Sequence, residues 1–371
     1  LVSGGGNGLA RVWNVAPSTA VASFPSSSGV DGDWSPDGRF LAMPMGNALI
    51  PGGDPGLQIW DVENGRAADE NLTSFTDDYW WGARYSPDGS KILLRGSNPW
   101  PNILPELLQA QIVDASTGEL LKTFSASDDE NWFRFAGWSP DGSQVVTAQI
   151  NGELHIWDYE TGELITTLVH GDNGFVNEVE WSPDGSMIAS ASDDGTAQVW
   201  DTETWETIVV FTGHEPPAYV ASVDWSPDGT RIMTTSGNDD EGSTDTTARI
   251  WDPKTGEELF VITGHTRLVG GGEWSPDGTR IATSSADGTT RIWDAATGDE
   301  LLRLDTPNIF ISLVQWSPDG QYIATNGFEQ VPEIWRVWQS TEELIDYAEA
   351  CCVVRDLTPE ERTQFGLAPD P

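Results

Sequence analysis

The pentapeptide Trp-Ser-Pro-Asp-Gly begins at Trp34, Trp138, Trp181, Trp225, Trp274 and Trp316, and a copy led by tyrosine begins at Tyr85. This repetition has to be read first, because a chain of 371 residues could otherwise be two or three ordinary domains or one large all-β unit. Each copy is followed by an apolar or β-branched run such as Arg280 to Ser284, then by an Ile-Trp-Asp-like segment at Trp60, Trp157, Trp200, Trp251 and Trp293. Val113-Asp114 and Trp335-Arg336 are degenerate versions of that segment. A Thr-Gly-Glu-type turn and another apolar run close most units, as in Thr255 to Ile262. Runs of about four to eight alternating or continuously apolar residues, bounded by Gly, Asp, Pro or Asn, predict short antiparallel strands. Each unit therefore holds four. Proline presets φ early in a tight turn and glycine accepts positive φ at its end, so Ser-Pro-Asp-Gly joins the first two strands and is punctuation, not an active site.

These residues resemble the WD-repeat β-propeller family, with a Gly-His pair, then Trp-Ser-Pro-Asp-Gly, then Ile-Trp-Asp at a period of about 40 to 50 residues. The resemblance covers roughly residues 1–338. It implies an all-β fold, a single propeller of four-stranded antiparallel blades. In that family a His before the first strand, a Ser or Thr on the second, an Asp in the next loop and the third-strand Trp form a structural tetrad. His170, Ser190, Asp194 and Trp200 match it, as do His265, Thr283, Asp287 and Trp293; His214, Thr234, Asp245 and Trp251 match with a longer loop. A His-Ser-Asp set could also be read as a catalytic triad, but one that recurs blade after blade, each time tied to a Trp, is architecture. His155, beside Ile156-Trp157, reads as a strand-surface or packing residue.

Strand counting leaves the ring closure open. Leu1 to Ser3, Leu9 to Trp13 and Thr19 to Phe24 read as the second, third and fourth strands of a blade without its first, whereas the unit after Trp335 shows no fourth strand. Closure by Thr19 to Phe24 gives seven blades over 16–338 and leaves 1–15 as the remnant of an upstream repeat; eight blades or a longer array are the alternatives. In the tail, 339–371, Leu344, Ile345, Tyr347 and Ala348 recur at helical spacing, and Thr358-Pro359-Glu360-Glu361 is a capping box with Pro at the first helical position, so two short helices are expected. The tail resembles the C-terminal end of bacterial WD-repeat proteins.

Hydrophobic residues at 38%, with 19 Trp, are ample for a buried core. The 59 Asp and Glu against 18 Lys and Arg give a net charge of -41, and lysine occurs only at Lys91, Lys122 and Lys254. Such a field repels nucleic acid and anionic lipid and favours a basic protein or peptide partner. It suits a secreted or cell-surface protein, or a salt-rich setting. No apolar run is long enough to cross a bilayer. The opening at Leu1, without Met, points to chain upstream. Cys351 and Cys352 are adjacent and offer neither a long-range disulfide framework nor metal-ligand spacing. No motif implies a cofactor.

Loop lengths point to a binding face. The turns after the first strands are nearly invariant, whereas insertions at Pro44 to Pro55, Ser97 to Pro105 and Gly237 to Asp245 lie between second and third strands, on the same face as the loops between blades. That face gathers Tyr79, Trp80, Trp81, Trp100, Trp132, Phe133, Phe175, Tyr219 and Phe310 beside Asp77, Asp78, Asp128, Asp129 and Glu130. Aromatics among acids suit a basic or Arg-rich peptide, with Tyr79, Trp80, Trp100, Trp132, Phe175, Tyr219, Asp78 and Asp129 as contacts; the simpler reading packs several of these rings between blades. Asp239, Glu241, Ser243 and Asp245 form a weak calcium candidate, the tryptophan group a weaker sugar site, and no pair of acids is singled out for hydrolysis. The composite expectation is a non-catalytic scaffold or sensor module, with self-association through an unclosed edge blade as its competitor.

Overall fold

The structure, a computed structural model, describes residues 2–4, 10–12, 22–23, 31–45, 56–68, 80–96, 109–125, 133–171, 174–237, 245–305, 311–327 and 333–337. Seven four-stranded antiparallel sheets follow one another and form a seven-bladed propeller. Blade 1 comprises Asp33–Trp34, Phe40–Met45, Gly56–Asp61 and Arg66–Ala67. Blade 2 comprises Trp80–Tyr85, Lys91–Gly96, Gln109–Asp114 and Leu120–Ser125. Blades 3 to 6 open on Phe133–Trp138, Val176–Trp181, Tyr219–Trp225 and Val269–Trp274.

Blade 7 takes three strands from the end of the repeat region, Ile311–Trp316, Tyr322–Gly327 and Glu333–Arg336, and its fourth from the beginning, Ala22–Ser23. Ala22 pairs with Ile334 and Ser23 with Glu333, so the ring is shut by a segment more than three hundred residues upstream of the strand it completes. Among the described residues, Val2–Gly4 and Ala10–Val12 pair only with each other.

No single core fills the centre. Each apolar cluster instead spans one junction between neighbouring blades. Trp34, Leu41 and Trp60 of blade 1 meet Ala324 and Ile334 of blade 7, and Leu57 and Ile59 meet Trp80, Ala83 and Leu94 across the next junction. Five further clusters repeat this around the ring. Second strands are sandwiched on both faces, so Met187–Ser192, Ile232–Gly237 and Arg280–Ser285 are buried throughout and rich in Ala, Ser and Thr. Fourth strands of blades 2 to 6 form the rim and each bury one residue, as Leu164–Val169 buries Leu168.

The pentapeptide turns stitch the other face. Ser35 Oγ donates to Asp37 Oδ1 at 2.6 Å and accepts the Phe40 N–H at 2.8 Å, while Gly38 stands at φ 71°. A Cβ on that glycine would lie 3.6 Å from the Pro318 ring in the turn of blade 7. The same proline-on-glycine contact joins Pro36 to Gly89, Pro87 to Gly142, Pro140 to Gly185, Pro183 to Gly229 and Pro227 to Gly278. The pentapeptide is thus both a hairpin turn and a coupling between blades.

Candidate functional site

The three histidine sets sit at blade edges and are knotted internally. In blade 6, His265 Nδ1 lies 3.0 Å from Asp287 Oδ2 and Nε2 lies 2.8 Å from Thr283 Oγ1, which also accepts the Trp293 indole N–H at 2.8 Å. Blade 5 repeats this with His214, Asp245, Thr234 and Trp251 at 3.1, 2.9 and 3.3 Å. In blade 4 the contacts differ: His170 Nδ1 meets Ser190 Oγ at 2.5 Å and Nε2 meets Thr196 Oγ1 at 3.0 Å, with the Asp194 carboxylate 3.6 Å away. Although burial opposes it, hydrogen bonds from His and Thr hold the carboxyls of Asp245 and Asp287 well below the usual range, and burial pushes His214 down. The hydroxyls and rings are buried and bonded to each other, so none is presented to a substrate. Blades 3 and 7 keep only the Trp–Thr bond, Trp157 to Thr147 and Trp335 to Thr325, each at 2.9 Å.

The expected contacts on the loop face divide. Phe175 is 45% exposed and Tyr219 half-buried, so both rings face outward in part. Trp80 is 2% exposed and packs against Leu57, Ile59 and Val113. Its place among the partner-binding aromatics is therefore corrected: a bulge between Trp80 and Gly82 shifts the strand register and turns the indole into the junction between blades 1 and 2. Phe133 is likewise fully buried. Tyr79, Trp100, Trp132, Asp78, Asp129 and the calcium candidates Asp239, Glu241 and Ser243 lie outside the described residues. Asp245, the remaining calcium candidate, accepts from Glu215 N, Thr247 N and Thr247 Oγ1 besides facing His214, which commits both its oxygens to capping the loop.

The central channel holds groups that strand counting did not single out. The residue before six of the seven pentapeptide aromatics points into it, giving Asp33, Arg84, Glu180, Asp224, Glu273 and Gln315, with Glu178 one pleat higher and Gly137 in the seventh place. Four of these carboxylates reach across to the next blade: Asp33 accepts Tyr85 N–H at 2.8 Å, Glu178 accepts Val223 N–H at 3.1 Å, Asp224 accepts Trp274 N–H at 2.6 Å, and Glu273 accepts Trp316 N–H. Burial in the channel wall pushes Asp33 up to about 6 and Glu178 and Glu180 up to about 8. Burial also raises Asp224, and it raises Glu273 together with the neighbouring Asp224 charge. At the loop-face mouth a cavity of about 310 Å3 is lined by Arg84, Arg95, Arg134, Phe135, Asn177 and Tyr219 among others. Arg95 reaches this mouth from the second strand of blade 2 over Gly82, where a Cβ would stand 3.0 Å from its Nε. There it donates to Asp31 at 2.8 Å, to Trp81 O at 3.3 Å and to Arg134 O, joining three blades.

Comparison with known proteins agrees with this architecture. Residues 118–158, 162–201, 205–252 and 256–294 match the family model "WD domain, G-beta repeat". Eukaryotic translation initiation factor 3 subunit I of Lodderomyces elongisporus is 24% identical over 44% of this chain and 46% of its own. WD repeat-containing protein 82 of Drosophila melanogaster is 24% identical over 44% and 47%, and serine-threonine kinase receptor-associated protein of Dictyostelium discoideum is 27% identical over 40% and 43%. The chain thus spans less than half the length of each of these relatives. They are eukaryotic, and the tail that suggested a bacterial likeness lies outside the described residues. Four consecutive units, within residues 118–294, thus match the WD40 repeat model inside a closed ring of seven four-stranded blades.

Proposed function

We propose that residues 16–338 form a non-catalytic scaffold that engages a protein partner on the loop face, around the mouth of the central channel. The observation that carries this reading is the asymmetry of the two faces. One is a repeated set of packed turns whose polar atoms bond to one another, with cavities between neighbouring turns, whereas the other gathers Arg84, Arg95, Arg134 and Tyr219 from several blades around one cavity beside the exposed Phe175 ring. A ring exposed beside a concave site supplies contact area at low entropic cost. The histidine sets support the same reading, since their hydrogen-bonding capacity is spent within each blade. Two of the relatives, by name a subunit of a translation initiation factor and a protein associated with a kinase receptor, agree with such a role.

The test is site-directed photocrosslinking in extract of the native source, using the full chain with a photoreactive residue in place of Phe175 or, separately, Asp184 in an opposite-face turn. Discrete protein adducts from position 175 and none from 184 are expected. Adducts confined to position 184, or none at either together with turnover in a hydrolase screen, would overturn the assignment.

A further inference from the structure

This inference rests on the loop face being the binding face and names what its partner offers. We infer that the channel mouth accepts an anion, with Arg134, Arg95 and Arg84 receiving a carboxylate carried on an acidic segment of a partner protein.

Three of the fifteen arginines of a chain with net charge -41 converge on this one cavity. They differ in how much of their charge is spent. Arg84 donates to Gly32 O at 2.9 Å and faces the channel acids. Arg95 is held by Asp31. Arg134 has no hydrogen bond or ion pair from its guanidinium among the described residues, and its guanidinium carbon lies 5.9 Å from the centre of the Phe175 ring. A guanidinium with its donor fork free beside an exposed aromatic wall is built for bidentate capture of a planar carboxylate.

The local balance of charge is positive. Asp31 and Glu178 also line the cavity, but Glu178, pushed up to about 8, carries its proton at neutral pH. Burial depresses Arg95; Asp31 opposes that, and the charges of Arg84 and Arg134 add to it. An arriving anion relieves that crowding. The large negative total acts differently, because exposed charges are screened beyond about 8 Å at physiological salt. Much of it is also architectural: the pentapeptide and Ile-Trp-Asp aspartates cap turns, as Asp37 and Asp158 do. The basic partner expected from composition therefore does not match the pocket at contact range.

The experiment is binding of the full chain to an array of Gly/Ser peptides in which one central position is glutamate, aspartate, phosphoserine, glutamine, lysine or arginine. Glutamate and aspartate peptides should exceed glutamine by about tenfold. Arg134→Glu should erase that preference and Arg134→Lys retain part of it, both variants keeping the parent circular dichroism and thermal midpoint. A preference for phosphoserine over both acids would overturn the carboxylate in favour of a phosphate. A preference for lysine or arginine, or indifference to Arg134→Glu, would overturn the pocket altogether. Failure to bind any peptide while photocrosslinks still form at position 175 would remove this inference and leave the binding face standing; loss of both removes both.

Discussion

The Asp224 carboxylate in blade 5 accepts the backbone N–H of Trp274 in blade 6 at 2.6 Å. Asp33 to Tyr85, Glu178 to Val223 and Glu273 to Trp316 do the same at other junctions, so acids in the channel wall act as ties between inner strands. A protonated carboxyl can still accept these bonds through its carbonyl oxygen, and burial favours that neutral form.

These ties give stability a pH dependence whose sign follows from proton uptake. Glu178 and Glu180 hold protons to about pH 8 in the ring and release them near pH 4 when unfolded, so folding binds protons across that window. Their contribution is complete below the unfolded values and declines as pH rises through the folded ones. Turn aspartates run the opposite way: Asp228, lowered to about 2 by Ser226 and Thr230, stabilises above about pH 4 and is lost in stronger acid. The melting temperature should therefore peak near about pH 5 and fall by several degrees toward about pH 8.5 at constant ionic strength. Asp224→Asn should flatten that fall. A midpoint that climbs steadily from mild acid to alkali would contradict the assignment.

Trp80→Ala should destabilise the ring by about 3–5 kcal/mol in urea titration, since it empties a junction core. Phe175→Ala, at an exposed position, should change stability by less than about 0.5 kcal/mol. Equal effects for the two would show that Trp80 is not packed as described.

Thr283→Val should cost about 2–4 kcal/mol, because it strands the Trp293 indole N–H and the His265 ring together. Thr325→Val in blade 7, where only the Trp335 bond is lost, should cost about half as much. Thermal or chemical denaturation of the two variants decides this, and equal costs would argue against a coupled histidine network.

Local signals made the blades legible. Pentapeptide turns and alternating runs are specified within a few residues, and they located the strands without knowledge of the ring; the histidine partners followed from the resemblance to WD-repeat propellers. The channel was illegible for a physical reason: Arg95, Asp31 and Arg134 come from three successive blades and meet only when those blades pack side by side, across a gap opened by the missing side chain of Gly82. Trp80 was misplaced because a bulge reverses the phase of alternation at its strand end. Composition does not by itself separate acids that meet a partner from aspartates such as Asp37 and Asp158, which serve turns.

Closure of the ring by its own upstream segment is the claim on which channel, junction cores and binding face all depend. Ser23→Cys with Glu333→Cys, in a chain also carrying Cys351→Ser and Cys352→Ser, places a thiol pair at the registered positions of the closing strands. Oxidation followed by non-reducing electrophoresis and mass analysis should show an intramolecular disulfide in a monomer. Disulfide-linked dimers, or thiols that stay free, would contradict a ring that closes within one chain.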